Sequence, residues 1–271
     1  MRIVVRHRTV YNYDHAIRYS TQYLRLTPRS NPSQRIIRWN VEGQGRLTSW
    51  TDGFGNHTHT LVCDEIVTQI AVSANGIVET SDLNGVLPDE GILPIKVFLR
   101  PTPLTTADAE IREFVAPFQE QARTNPLEVA HSLSQLLIER IVYTEGSTHV
   151  QSTAAEVLKY GRGVCQDMAH LFITCLRALG MPALYISGYL YTGDEEKPQV
   201  ASHAWAAVWI EGLGWVSFDL ANKTCGTERH IGLAMGLDYA SSAPLRGVRE
   251  GGSETEVMDV QVMVTQAGYA Q

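Results

Sequence analysis

The chain has 271 residues, enough for one large or two small domains, and its 44% hydrophobic content is that of an ordinary globular protein. Lys and Arg number 22 against 29 Asp and Glu, so the net charge is −7, which argues against a nucleic-acid scaffold. No apolar run approaches the roughly 18 residues of a membrane span, and the opening Met-Arg-Ile-Val-Val-Arg-His lacks the apolar core of a signal peptide; the expectation is a cytoplasmic protein without membrane or nucleic-acid partners.

The first hundred residues alternate and turn without a long helical period. Short strands are expected over residues 2–9, 22–26, 35–41, 47–51, 58–63 and 67–72, separated by Pro28, Asn31-Pro32, Gly43, Gly45 and the Asp52-Gly-Phe-Gly-Asn56 turn. That spacing predicts a β-sandwich. Pro88, Pro94, Pro101 and Pro103 mark the expected boundary, giving an N-terminal domain over 1–100 and a second domain over 101–271.

Helices follow. Thr105 opens a Thr-x-x-Asp pattern that predicts a helix start, and Pro117 should interrupt that helix. Ala130, Leu133, Leu136, Leu137 and Ile141 form a helical stripe over 127–141, and Thr153 with Glu156 predicts a capped short helix ending at Gly161. The clearest helix runs from Cys165 to Leu179, with Met168, Leu171, Phe172, Cys175, Leu176 and Leu179 on one face; Gly180 and Pro182 end it. Strands are then expected over 183–191, 203–210 and 215–220, and a last one in the Val-Met-Asp-Val-Gln-Val-Met-Val run after Gly251. The acids Asp194, Glu195 and Glu196 read as a solvated hairpin loop rather than a calcium site, having too few oxygen ligands around them.

Cys165 is the candidate nucleophile. It opens a helix, where the partial positive charge and free N–H groups favour thiolate over thiol, and its own N–H can donate to a developing oxyanion. Gly161 and Gly163 let the preceding backbone bend and keep the approach to sulfur open. Asp167 suits a helix start but opposes a nearby thiolate, so it is expected to point away and cap or pair. His170 lies about 140° round the helix from Cys165 and reads as a packed or capping histidine, not a metal partner. Gln166 is a candidate oxyanion donor. Of the other cysteines, Cys63 and Cys175 read as packing, and Cys225 follows the Asp219 loop; no Cys-x-x-Cys clip exists, so neither a structural zinc site nor disulfides are expected.

His203 opens one strand and Asp219 closes the next, so both reach the same rim. Register decides whether they meet. A two-residue turn at Gly212-Leu213 would set Asp219 opposite Ala206, on the face away from His203. A three-residue loop, Glu211–Leu213, sets it opposite Trp205 and diagonal to His203, within roughly 5–8 Å at Cβ. Gly212 and Gly214 can supply the left-handed residue such a loop needs, so the odd-length loop is predicted. His203 would then remove the thiol proton and later protonate the leaving group, while Asp219 orients the imidazole, with Asn222 as possible support. Trp205, Trp209 and Trp215 read as core or cleft wall.

Gly163-Val-Cys-Gln-Asp-Met-Ala-His170, Arg177-Ala-Leu-Gly-Met-Pro-Ala183, Ser187-Gly-Tyr189, Ser202-His-Ala-Trp205 and Gly214-Trp-Val-Ser-Phe-Asp219 together resemble the bacterial transglutaminase-like superfamily, whose members are provisionally described as cysteine proteases. Tyr23-Leu-Arg-Leu-Thr-Pro-Arg29 and Asp52-Gly-Phe-Gly-Asn56 are similar to the N-terminal β domain that accompanies this core. The resemblance implies an α+β chain: an N-terminal β-sandwich, then a papain-like, transglutaminase-like core with a Cys-His-Asp triad at Cys165, His203 and Asp219. One departure is Leu220, where the family commonly has proline after the aspartate.

Members of such a family hydrolyse amides, cross-link through glutamine, or bind without catalysis. The favoured expectation is a hydrolase acting on a peptide or amide through a thioester, because water is the default acceptor; the alternatives are an amine-accepting transglutaminase and an inert binding module. No cofactor and no metal are called for.

Overall fold

The computed structural model describes residues 1–193, 202–252 and 256–267. The Asp194–Glu196 loop therefore lies outside the described residues. Strands β1 (Arg2–Leu24), β2 (Gln34–Gly43), β3 (Arg46–Thr51), β4 (His57–Cys63) and β5 (Val67–Thr80) come first, and a short β6 (Val86–Leu87) follows. Then come α1 (Ala109–Val115), α2 (Gln121–Thr124), α3 (Pro126–Arg140), β7 (Val142–Tyr143), α4 (Ala154–Tyr160), β8 (Arg162–Gly163) and α5 (Cys165–Ala178). The chain continues through β9 (Ala183–Leu190), β10 (Ser202–Ile210), β11 (Gly214–Asp219), β12 (Thr224–Cys225), β13 (His230–Gly236), α6 (Tyr239–Ser242), β14 (Leu245–Gly251) and β15 (Glu256–Gln266). No helix among the described residues is long and apolar enough to cross a membrane.

Two antiparallel sheets organise the described residues. The first has the order β2-β5-β1-β4-β3, with β14 and β15 also on β1. The expected pair of strands at 2–9 and 22–26 is one 23-residue strand, whose first half pairs with β5 and β15 and whose second half pairs with β4 and β14. The strands of the expected β-sandwich are joined in one hydrogen-bonded network, because β1 is long enough to serve both halves. Both halves share one apolar cluster that includes Ile3, Ile17, Leu24, Leu61, Ile70 and Val78. Beyond the expected boundary near residue 100, β14 and β15 pair with β1 in the first sheet.

The second sheet has the order β12-β11-β10-β9-β13, with β6 on β11. Helix α5 lies on the face carrying Ala204, Ala206, Val208, Val216 and Phe218 and buries Met168, Leu171, Phe172, Cys175 and Leu176 there. At roughly 1.5–3 kcal/mol per fully buried large apolar side chain, this stripe anchors the helix. Its end is set as the sequence predicts: Gly180 adopts φ +78° and its N–H donates to the Arg177 carbonyl at 2.9 Å. The buried Arg177 side chain ties three segments together, donating to the carbonyls of Phe98 (2.9 Å), Ala183 (2.7 Å) and Leu237 (2.8 Å) and to Thr105 Oγ1 (2.9 Å).

The early helices differ in detail. The Thr105 pattern does not start α1; Thr105 ends a 3-10 turn over 103–105, and Asp108 is the cap, accepting from Ile111 N at 2.9 Å. Asp108 wins because its side chain can close on the N3 amide while Pro103 fixes the turn before it. Pro117 does break the helical run, between α1 and α2. The Thr153/Glu156 capping box and the αL residue Gly161, φ +64°, bound α4 as expected.

The sheets meet on one side of β13. Gln34 pairs with Gly232 like a strand: its Nε2 donates to the Gly232 carbonyl at 2.8 Å, and Gly232 N donates to its Oε1 at 2.9 Å. Asn56 does the same to Met235, at 2.8 and 2.9 Å. Asp52, whose carboxylate accepts from Phe54 N, Asn56 N and Arg25 Nε, holds the turn that presents Asn56. The Asp52-Gly-Phe-Gly-Asn56 segment is therefore a brace on β13. Behind it, the buried His7 ring bridges Tyr189 OH (2.7 Å) and Thr9 Oγ1 (2.8 Å), and burial pushes it down to about 4.

Candidate active site

Cys165 is the first residue of α5 and is half-buried. The turn before it is held from two sides. Parallel pairing of β7 with β8 fixes Gly161 and Gly163 through Val142 N (2.9 Å) and Thr144 N (3.0 Å). Asp167 reaches back so that its Oδ2 accepts from Val164 N at 2.8 Å and from Thr148 Oγ1 at 2.6 Å. The expectation that Asp167 turns from the sulfur to cap is met; it is buried, and burial raises its carboxyl against those two hydrogen bonds. Gly163 is required by space, because a Cβ there would lie 2.7 Å from Asp167 Cβ. His170 is fully buried, its Nε2 accepting from Tyr239 N at 2.9 Å, and burial lowers it to about 4.

The β10–β11 register is the three-residue one: Ile210 pairs with Gly214, Trp209 with Trp215, and Ala206 with Phe218. Gly212 and Gly214 take φ +76° and +113° to make the turn. His203 and Asp219 consequently share a face, and His203 Nε2 stands 2.7 Å from Asp219 Oδ2. Their side chains are 9% and 0% exposed. With Nε2 taken, Nδ1 is the ring nitrogen left for another partner, and the nearby Cys165 side chain raises the imidazole. Burial alone would lower the imidazole, but hydrogen bonds and charge from Asp219 and Cys165 override it and push it up to about 10. Asp219 is opposed by burial too, yet hydrogen bonds from His203 and His230 hold its carboxyl far below the ordinary range.

Asp219 Oδ2 also accepts from Asn222 Nδ2 at 2.8 Å, and Oδ1 accepts from Asn222 N at 3.2 Å. Asn222 Nδ2 also lies 3.2 Å from His203 Nε2. Gln166 is placed differently: its Nε2 donates to the Val150 carbonyl at 3.4 Å, joining the helix start to the 147–152 loop. The Trp205 ring stacks on His203 with 6.0 Å between centroids and meets His230 edge-on at 5.1 Å. An apolar cavity of about 150 Å³ lies between the sheets, lined by Phe98, Ile186, Trp205, Trp215 and His230; Cys165 does not border it.

His230 was not singled out by sequence reasoning. It opens β13 as His203 opens β10, and that shared position is the signal that could have found it. Its Nε2 is 3.0 Å from Asp219 Oδ2. His203, Asp219 and His230 present ligand atoms within 4.8 Å of one another, a set that in other settings holds a metal ion. Here the shared oxygen already has two ring nitrogens and an amide nitrogen at hydrogen-bond distance. An imidazole paired to a buried carboxylate can take up and release a proton.

Known proteins share this arrangement's sequence frame. Residues 114–220 match the model of the transglutaminase-like superfamily, and residues 3–79 match that of the bacterial transglutaminase-like N-terminal region. An uncharacterised protein of Mycobacterium leprae is 31% identical, with 98% of each chain covered. One of Mycobacterium tuberculosis is 33% identical over 96% of this chain and 91% of its own. A protein-glutamine gamma-glutamyltransferase of Pseudomonas aeruginosa is 31% identical over 32% of this chain and 14% of its own. The crystal structure of a Cytophaga hutchinsonii protein provisionally named a cysteine protease superposes with a TM-score of 0.74 at 21% identity, covering 100% of this chain and 92% of that one.

Proposed function

Because the chain belongs to the bacterial transglutaminase-like superfamily, we propose that it is a cysteine-dependent amide or peptide hydrolase, with Cys165 as nucleophile, His203 as general base and acid, and Asp219 as the residue that orients His203. The observation that supports this reading is the buried His203 imidazole with Asp219 Oδ2 at 2.7 Å and the Cys165 side chain near enough to raise it.

The steps follow from the placement. The Cys165 thiol proton passes to His203 Nδ1, and the sulfur attacks the amide carbonyl carbon. The carbonyl π electrons move to oxygen. The N–H of Cys165, at the first helical position, has no acceptor within the helix and donates to that oxyanion. Collapse breaks the C–N bond, and His203 gives its proton to the departing amine. Water then attacks the thioester, losing its proton to His203, and the carboxylic acid leaves as the sulfur is released. Asp219 stays ionised throughout and stabilises the imidazolium. This chemistry needs a reduced sulfur at Cys165, and the compartment we propose is the cytoplasm.

The substrate class we propose is a peptide or protein amide. Transfer of the same acyl group to an amine is the second reading, favoured by the partial match to the Pseudomonas aeruginosa glutamyltransferase. Peptide amides offered to the wild type and to Cys165→Ala, with and without a primary amine, separate the two by mass. Acid product and a thioester adduct that vanish in Cys165→Ala support the hydrolase. Amine incorporation outrunning hydrolysis makes the protein a transferase. Neither product, together with slow alkylation of Cys165, leaves a binding module.

A further inference from the structure

We propose that His230 is a positioning residue of the triad: a neutral imidazole, protonated on Nε2, that holds the Asp219 carboxylate on its axis toward His203. The inference rests on the triad reading above and names a fourth member of that machinery.

The tautomer follows from hydrogen bonds alone. Thr227 N donates to His230 Nδ1 at 3.1 Å, so Nδ1 carries the lone pair. The ring proton of the neutral form must then be on Nε2, which faces Asp219 Oδ2 at 3.0 Å and donates to it. Asp219 Oδ2 therefore receives His203 from one side and His230 from another, with Asn222 between them. A carboxylate with one donor can rotate about its Cβ–Cγ bond; one fixed by donors from two strands and a loop cannot leave the line to His203 without breaking several hydrogen bonds.

His230 is itself built in. Its side chain is 6% exposed and its ring meets Trp205 edge-on at 5.1 Å. Two residues on, Gly232 is clasped on both backbone groups by Gln34 from the first sheet. A mere core histidine needs no fixed tautomer and no carboxylate partner shared with a second imidazole. The N-terminal sheet thus reaches the reacting groups through β13, which gives that sheet a catalytic reason to be present.

Gln can place an Nε2–H donor where the imidazole has one, and Leu cannot. The test compares iodoacetamide alkylation of Cys165 in the wild type, His230→Gln, His230→Leu and His203→Ala, with melting temperatures alongside. His230→Leu should slow alkylation roughly ten-fold, as losing an orienting partner commonly does, and His230→Gln should recover most of that loss while melting close to His230→Leu. Two-bond ¹⁵N spectra of the wild type, which need no variant to fold, should show His230 protonated on Nε2 and bare on Nδ1. A wild-type rate indifferent to His203→Ala sinks the triad itself. A rate that depends on His203 and not on His230→Leu, a His230→Gln no faster than His230→Leu, or the opposite tautomer overturns the present assignment alone.

Discussion

His203 and Trp205, two residues apart on β10, stand with their rings 6.0 Å apart and only 27° from parallel. The indole is buried and backs the imidazole like a wall, and what keeps the indole there is a glycine on the neighbouring strand. A Cβ added at Gly188 would lie 2.6 Å from the Trp205 ring and 2.1 Å from the Ile231 carbonyl. Gly188→Ala is therefore expected to push Trp205 and β13 apart. The denaturant midpoint should report about 1–3 kcal/mol of lost stability, the usual cost of overpacking, and amide hydrolysis should fall with it. A fully active, equally stable Gly188→Ala would show that Trp205 has room to move.

Asp219→Asn tests the charge rather than the shape. The amide would put an NH₂ or a weaker acceptor before three donors, His203, Asn222 and His230. Hydrolysis should drop by about 10³–10⁴, the loss seen when an orienting carboxylate becomes an amide. Stability should fall by about 1–3 kcal/mol for the imperfectly paired buried donors. Steady-state rates and chemical denaturation check the two numbers separately.

The cap at Asp167 links helix stability to the nucleophile. Its Oδ2 closes on Val164 N and Thr148 Oγ1, so Asp167→Ala removes both contacts at once. About 0.5–2 kcal/mol of stability should go, the range for losing an N-cap, and Cys165 alkylation should slow because the first turn is no longer pinned. Asp167→Asn keeps an acceptor for Val164 N and should lose less on both counts.

Stability should change with pH on both sides of neutrality, for opposite reasons. His203 is raised from 6.5 to about 10 in the folded chain. Its contribution is complete below about pH 6.5 and is lost as pH climbs toward about 10, because the folded state then gives up a proton the unfolded state has already released. His7 and His170 are lowered from 6.5 to about 4. Their neutral, buried forms favour folding above about pH 6.5, and that benefit is lost as pH falls toward about 4. Thermal melts across pH 4–10 should show His203→Gln flattening the alkaline side and His7→Gln the acid side.

The parts of the site that lie close in sequence were readable in it. The stripe from Met168 to Leu179 and Gly180 at its end specify α5, and the Gly212/Gly214 pair specifies the odd-length turn that turns Asp219 toward His203. Gln166 shows the limit of that logic: its backbone place was clear, but its side chain goes to the Val150 carbonyl, across a loop whose path no periodicity fixes. His230 shows another limit, since its meeting with Asp219 depends on β13 lying beside β9 on the side away from β10. The first sheet was the least legible part. A strand of alternating residues does not announce which distant strand fills its edge, so the place of β14 and β15 on β1 could not be read locally.

That last pairing has a price in time. Ile3 sits opposite Gln266, so β1 waits for a neighbour about 260 residues further along before its edge is covered. A nascent or truncated chain ending at residue 244 carries β1 with that ladder bare along both halves, a template for another copy to pair with. Such a chain should clump rather than fold, and residues 245–266 are what spare the longer chain that fate.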